Sequence, residues 1–202
     1  MTSAIRSLLA LLVVAGAVSA ASLDEGVERY FAMDYVAAER HLQAVSDAEP
    51  ENARAFAYLG LALAGRNQPS EAQTAIDRAC GLAPESDEVL AARGIVRVLR
   101  RQYDPAASDL NKAREIRSDS ELAVFGLGML HTERKQHQQA VDALEKAIEM
   151  NPENALAYYY AGIAYNGLRR SDKMVEKFQT FLRLAPRTPE AQKVQSLLRA
   201  VR

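Results

Sequence analysis

The stretch Glu121–Asn154 is 34 residues long, and the rest of the chain repeats its spacing. Stepping 34 residues at a time, position 8 of this unit gives Gly26, Gly60, Gly94, Gly128 and Gly162. Position 20 gives Ala38, Ala72, Ala106, Ala140 and then Met174, and position 32 gives Pro50, Pro84, Ser118, Pro152 and Pro186. One glycine in a helical pattern carries little information. Five in one phase mark an internal repeat, and a repeat of this length is one supersecondary unit that must stack on its neighbours to bury a core.

Each unit contains two amphipathic helices. In the fourth copy Val124, Leu127, Gly128 and His131 share one face at i, i+3, i+4 and i+7. Ala140, Leu144, Ala147 and Ile148 make the matching stripe on a second helix, while Glu133, Lys135, Glu145 and Glu149 lie on the outer faces. The spacing predicts a first helix over repeat positions 1–14 and a second over 18–31. The short polar turn between them, with Gln136 and Gln138, forces the pair antiparallel. Asn151-Pro152 then stops the second helix, because proline lacks the N–H that would extend the ladder. Glycine inside a helix costs roughly 0.5–1 kcal/mol against alanine. Close packing must offset that, and the expected partner of position 8 is the small residue at position 20.

This pattern resembles the tetratricopeptide repeat. Ala53–Ser86 carries Phe56, Leu59-Gly60, Ala72, Ile76, Ala79 and Pro84, and Ala155–Thr188 carries Tyr158, Gly162, Tyr165, Phe178 and Pro186 with Met174 and Phe181 as departures. Asp87–Ser120 keeps Leu90, Gly94, Ala106, Leu110 and Ala113. The resemblance implies an all-α, right-handed α-solenoid of about five helix pairs. The expected repeats are 22–52, 53–86, 87–120, 121–154 and 155–188, followed by a capping helix over 189–202. That last helix has Ala191, Val194, Leu197, Leu198 and Val201 as its apolar set.

Composition narrows the function classes. A formal charge of −1 offers no concentration of Lys and Arg for nucleic acid. Cys80 is the single cysteine, so no internal disulfide and no thiolate zinc site can form. His131 and His137 lie on different sides of a helix and across its end, and no cofactor or metal motif is legible. Gly60-x4-Gly65 is followed by Arg66-Asn67 rather than the Lys-Ser/Thr of a phosphate loop.

The N-terminus reads as an export signal of bacterial type. Arg6 precedes the apolar run Leu8–Val18, and Val18-Ser19-Ala20 offers small residues for cleavage after Ala20 or Ala21. The run of 11 residues is shorter than the roughly 20 needed to span a bilayer. The expectation is a cleaved signal over 1–20, no integral membrane span thereafter, and residence in the periplasm, with secretion as the lesser reading.

The resemblance places a partner-binding groove on positions 2, 5, 9, 12 and 13 of the first helices. The lysine and asparagine of a carboxylate clamp are missing, and apolar residues stand there instead. The candidate groove set is Leu61, Ile95, Val98, Leu122, Phe125, Met129, Tyr159 and Ile163. Contiguous apolar surface of that kind suits an apolar or amphipathic partner helix, and core packing between repeats is the competing account. The third repeat is anomalous, with Arg93 and Arg97 where Leu and an aromatic are usual. They form either an ion-paired element, with Asp87, Asp104 or Asp109 as partners, or a basic spot for an anionic group. The resulting expectation is a non-catalytic scaffold or adaptor for protein partners in the bacterial cell envelope. Self-association as a structural homo-oligomer and a substrate platform for an envelope enzyme are the alternatives.

Overall fold

The computed structural model describes residues 22–200. Among these residues there are eleven helices and no strand: α1 Leu23–Phe31, α2 Tyr35–Ala48, α3 Ala53–Gly65, α4 Pro69–Leu82, α5 Asp87–Leu99, α6 Tyr103–Ile116, α7 Glu121–Glu133, α8 His137–Met150, α9 Ala155–Gly167, α10 Ser171–Leu184 and α11 Pro189–Ala200. The expected export signal lies outside them. The first helices of the second to fifth repeats occupy positions 1–13 and the second helices of all five occupy 17–30, one residue earlier at most boundaries than the sequence spacing predicts.

Local chemistry explains the boundaries. Ser22, Asp34, Asn52, Ser86 and Asn154 each cap a helix by accepting a hydrogen bond from a backbone N–H three residues on. Pro69 occupies the first turn of α4, where its missing donor is harmless. The turn inside every repeat is built the same way. Met33, Asn67, Arg101, Lys135 and Arg169, all at position 15, take a left-handed conformation with φ between 58° and 60°.

Each helix pair closes on a glycine, but not through the expected neighbour. A β-carbon at Gly26, Gly60 or Gly94 would stand 2.7 Å from the Leu42, Ile76 or Leu110 side chain, and one at Gly128 would stand 2.5 Å from Leu144. At Gly162 it would press into the Phe178 ring. The seat is therefore for the large residue at position 24. Position 20 contributes only its carbonyl nearby, as with Ala72 O at 3.2 Å from a Gly60 β-carbon. The reason is side-chain direction: the long residue leans over the facing helix and reaches the backbone that the glycine leaves bare.

Repeats join through their first helices. Helices α1, α3, α5, α7 and α9 stack on one another in sequence, and each second helix reaches the following repeat through that repeat's first helix. Gly126 serves this interface, since a β-carbon there would meet Leu110 at 2.5 Å and Ile95 at 2.9 Å. Polar links recur along the array: Arg117 Nη2 to Asp87 Oδ2 at 2.7 Å, Asn151 Nδ2 to Glu121 Oε1 at 2.9 Å, and Arg54 to both Asp24 and Glu88. Helix α11, started by the Thr188 hydroxyl on Ala191 N–H, packs on α10. It buries Ala191 and Val194 and half-buries Leu198, whereas Leu197 stays exposed. Val201 lies outside the described residues.

Candidate partner-binding surface

Six of the eight expected groove residues are interior. Leu61, Ile95, Val98, Leu122, Phe125 and Met129 are each at most 2% exposed. They pack between consecutive repeats, and of the six only Leu61, Leu122 and Met129 also border an opening. The cause is the tight stacking of first helices, which encloses position 9 and its neighbours between consecutive repeats. Phe125, for example, lies edge-on to Tyr160 with ring centroids 6.3 Å apart. Tyr159 and Ile163 remain half-buried. Of the eight, Leu61, Met129 and Tyr159 border one small cavity and Leu122 borders a larger opening.

That larger opening is the accessible part of the inner face. It encloses about 1000 Å³ and draws on every repeat, from Asp24, Val27, Glu28 and Phe31 of α1 through Arg54, Tyr58, Glu88 and Glu121 to Glu153 and Leu184. Its floor is apolar, with Val27, Phe31, Tyr58 and Leu122 buried. Its rim is charged, with seven carboxylates (Asp24, Glu25, Glu28, Glu88, Asp119, Glu121, Glu153) against three guanidiniums (Arg29, Arg54, Arg117). Four negative charges are in surplus. Burial pushes the Glu121 carboxyl above the usual range, although the hydrogen bond from Asn151 pulls the other way. Arg54 lies 5.6 Å from the Tyr58 ring centroid and links that ring to Glu88.

A second, smaller cavity is lined by residues from both ends of the array. Tyr30, Met33 and Tyr35 of the first repeat share a cavity of about 140 Å³ with Leu156, Tyr159 and Tyr160 of the fifth and Glu190 of α11. Leu61, Leu99 and Met129 complete its wall. Sequence reasoning missed Tyr30, Tyr35, Tyr160 and Glu190. A 34-residue frame treats all copies alike, and the meeting of first and last copies depends on accumulated superhelical rotation. The available signal was the crowding of tyrosine into the first and last copies.

The arginines of the third repeat converge on one buried carboxylate. Asp109, with its side chain 7% exposed, accepts from Arg93 Nε at 2.9 Å, Arg93 Nη2 at 2.7 Å and Arg97 Nη1 at 2.5 Å. The other two expected partners are engaged elsewhere: Asp87 pairs with Arg117 and Asp104 with Arg134. Arg93 also points Nη1 at Cys80 Sγ, 3.6 Å away. Among the described residues no group of three His, Cys, Asp or Glu side chains is placed to hold a metal ion.

Known proteins share this organisation. A tetratricopeptide repeat family model matches residues 23–87, and a TPR repeat model matches residues 128–168. The chain belongs to the tetratricopeptide repeat proteins, a class whose fold serves as a scaffold for protein–protein interaction. Among solved structures, Cut9–Hcn1 of the APC/C superposes with a TM-score of 0.66 at 16% identity, over 87% of this chain and 35% of that one. Yeast Tom70 gives 0.57 at 19% identity, over 87% and 38%. YrrB, described as a TPR protein with an unusual peptide-binding site, gives 0.51 at 20% identity, over 81% and 84%. At these identities the likeness establishes the α-solenoid alone. No curated protein matches the chain.

Proposed function

We propose that this protein is a non-catalytic adaptor of the bacterial cell envelope, exported to the periplasm, that holds a basic amphipathic segment of a partner protein. The observation that carries the reading is the opening of about 1000 Å³ into which residues of every repeat project, with an apolar floor and a surplus of four carboxylates. A segment with aliphatic or aromatic residues on one face and Lys or Arg on the other complements both features. Opposite charges steer the encounter, and the buried floor supplies the anchor for the apolar face. Export rests on Arg6, the apolar run Leu8–Val18 and the small residues before Ala21.

The deciding experiment places a photo-crosslinking residue at Glu28 or Asp119 in the native host and identifies the attached chain and its contact peptide. Both positions are exposed on the rim, so neither change disturbs the core. With the crosslinker at Glu28, the added changes Asp119→Lys and Glu153→Lys are expected to abolish the adduct while melting like the parent; with it at Asp119, Glu28→Lys and Glu153→Lys do the same. A partner captured equally by these variants, or a contact peptide without basic residues, overturns the reading. N-terminal sequencing of the protein from the periplasmic fraction tests export. A chain that starts at Met1 in the cytoplasmic fraction refutes it.

A further inference from the structure

We propose that the cavity bounded by Tyr30, Tyr35, Tyr159, Tyr160 and Glu190 is a binding site for the head group of an organic cation, an alkylated ammonium or a guanidinium. The residues come from both ends of the chain, so the site exists only because the first and fifth repeats meet. Tyr30 and Tyr35 stand with ring centroids 5.9 Å apart and their planes 44° from parallel. Tyr159 and Tyr160 stand 5.5 Å apart and nearly perpendicular, at 77°. Four rings at such different inclinations line about 140 Å³. Their faces are where an aromatic quadrupole attracts a cation.

Charge points the same way. Glu190 is the single ionisable carboxylate on the wall, and no Lys, Arg or His lines it. Among the described residues Glu190 has no ion-pair partner, although it is half-buried. The cationic neighbours of rings in this protein lie elsewhere: Arg54 over Tyr58, Arg78 over Phe56, Arg170 over Tyr165 and Lys177 over Tyr158. Burial, then the proximity of the other phenols and of Glu190, pushes the Tyr35 hydroxyl far above its ordinary value, and Tyr30 and Tyr160 are raised with it. The phenols therefore stay neutral at physiological pH and supply ring faces, not counter-charge. Glu190 is the one carboxylate on the wall. Leu99, 45% exposed, lies at the edge of the wall and leaves the cavity a way in.

The volume selects among cations. A guanidinium or a quaternary ammonium with its nearest methylenes fills a space of this size, whereas a whole ring system does not. Met33 and Met129 also border the cavity, so their ε-methyl groups report occupancy directly. The site goes beyond the adaptor reading, because its lining shares no residue with the larger opening and it is tested without any partner protein.

The test uses the mature chain labelled with ¹³C at the methionine methyls, at constant ionic strength. It is titrated separately with tetramethylammonium, N-acetyl-arginine amide and the neutral isostere tert-butanol. The expected result is a saturable shift of the Met33 and Met129 signals with at least one cation, and at least about tenfold weaker binding of tert-butanol. Saturation by tetramethylammonium alone assigns the site to a free quaternary ammonium, and saturation by the arginine amide alone assigns it to a basic side chain. Glu190→Gln is expected to weaken the cation by about tenfold without moving the melting temperature, and Tyr159→Leu to weaken it further. Equal binding of tert-butanol, no saturable shift with either cation, or full affinity retained in Glu190→Gln each overturn the proposal. If Tyr159→Leu melts early, Glu190→Gln decides alone.

Discussion

The third and fifth repeats place opposite charges at the same point and satisfy them in different ways. Position 23 is Asp109 in the third and Lys177 in the fifth, and both residues are buried. Asp109 draws its partners from its own repeat, taking Arg93 and Arg97 from α5. Lys177 reaches back to the preceding repeat, where Glu145 Oε2 lies 2.8 Å away and also receives the Tyr165 hydroxyl through Oε1 at 2.7 Å. A buried charge in this seam thus either ties a helix pair together or ties one pair to the next. The first makes a repeat internally rigid, and the second makes neighbours cooperate.

Removing one partner shows which arrangement matters more. Asp109→Ala leaves two guanidiniums facing a low-dielectric seam, with side chains 29% and 31% exposed, and should cost about 3 kcal/mol because they can turn only partly to water. Lys177→Met should be near neutral, within about 1 kcal/mol, since Glu145 is 31% exposed and keeps Tyr165. Chemical denaturation of both variants checks the order. A larger loss from Lys177→Met than from Asp109→Ala would reverse the assignment of strength to the internal cluster.

The glycine seats separate the same two repeats. Gly94 faces the branched end of Leu110, and Gly162 faces the flat ring of Phe178, which also packs against Tyr159 with ring centroids 6.4 Å apart. Gly162→Ala should therefore destabilise by about 2–3 kcal/mol, and Gly94→Ala by about 1 kcal/mol after its gain in helix propensity. Equal melting temperatures for the two variants would mean that the ring yields as readily as the leucine.

Alkaline titration distinguishes the seams without mutation of either charge. Burial first, and then the hydrogen bond to Glu145, pushes the Tyr165 hydroxyl up to about 12 from its ordinary 10.0. The folded state holds that proton more tightly than the unfolded chain. Its stabilising contribution is complete below pH 10 and is lost as pH climbs through 12. The Asp109 cluster has no such group, for guanidiniums do not deprotonate in proteins and Asp109 holds Arg93 still more firmly charged. Tyr165→Phe should flatten the fall of melting temperature above pH 10, with the lost ionisation visible as reduced tyrosinate absorbance. An unchanged slope would remove Tyr165 from the account.

Much of this was legible in the sequence, and the limits have physical causes. The glycines at position 8 and the prolines at position 32 set the frame, because backbone proximity and a missing N–H act locally. Helix boundaries then fell within a residue. Arg93 and Arg97 announced a buried acid by standing where apolar residues belong, but Lys177 gave no such notice, since its partner lies 32 residues away in another repeat. The burial of most of the groove set has a related reason. Whether Phe125 or Met129 faces water depends on how closely successive first helices pack, and Gly126, which sets that distance against Leu110 and Ile95, reads as an ordinary helix glycine. The approach of the first and fifth repeats to one cavity sums many small rotations, none of which a single repeat encodes.

The smallest effect asks whether the difference between the repeats stays within the seam. Arg101 and Arg169 occupy the same turn position with φ of 60° and 58°, a left-handed conformation that strains any residue with a β-carbon. Neither makes an ion pair among the described residues, so replacing either removes little besides that strain. Arg101→Gly and Arg169→Gly relieve roughly 1 kcal/mol in the folded state and return part of it as extra freedom of the unfolded chain, for a net gain below about 1 kcal/mol. The two turns share their geometry while the adjoining seams do not, so equal gains are expected from denaturation midpoints. Unequal gains would show that the Asp109 cluster or the Glu145 bridge strains the turn beside it, and the contrast between repeats would then extend to the backbone.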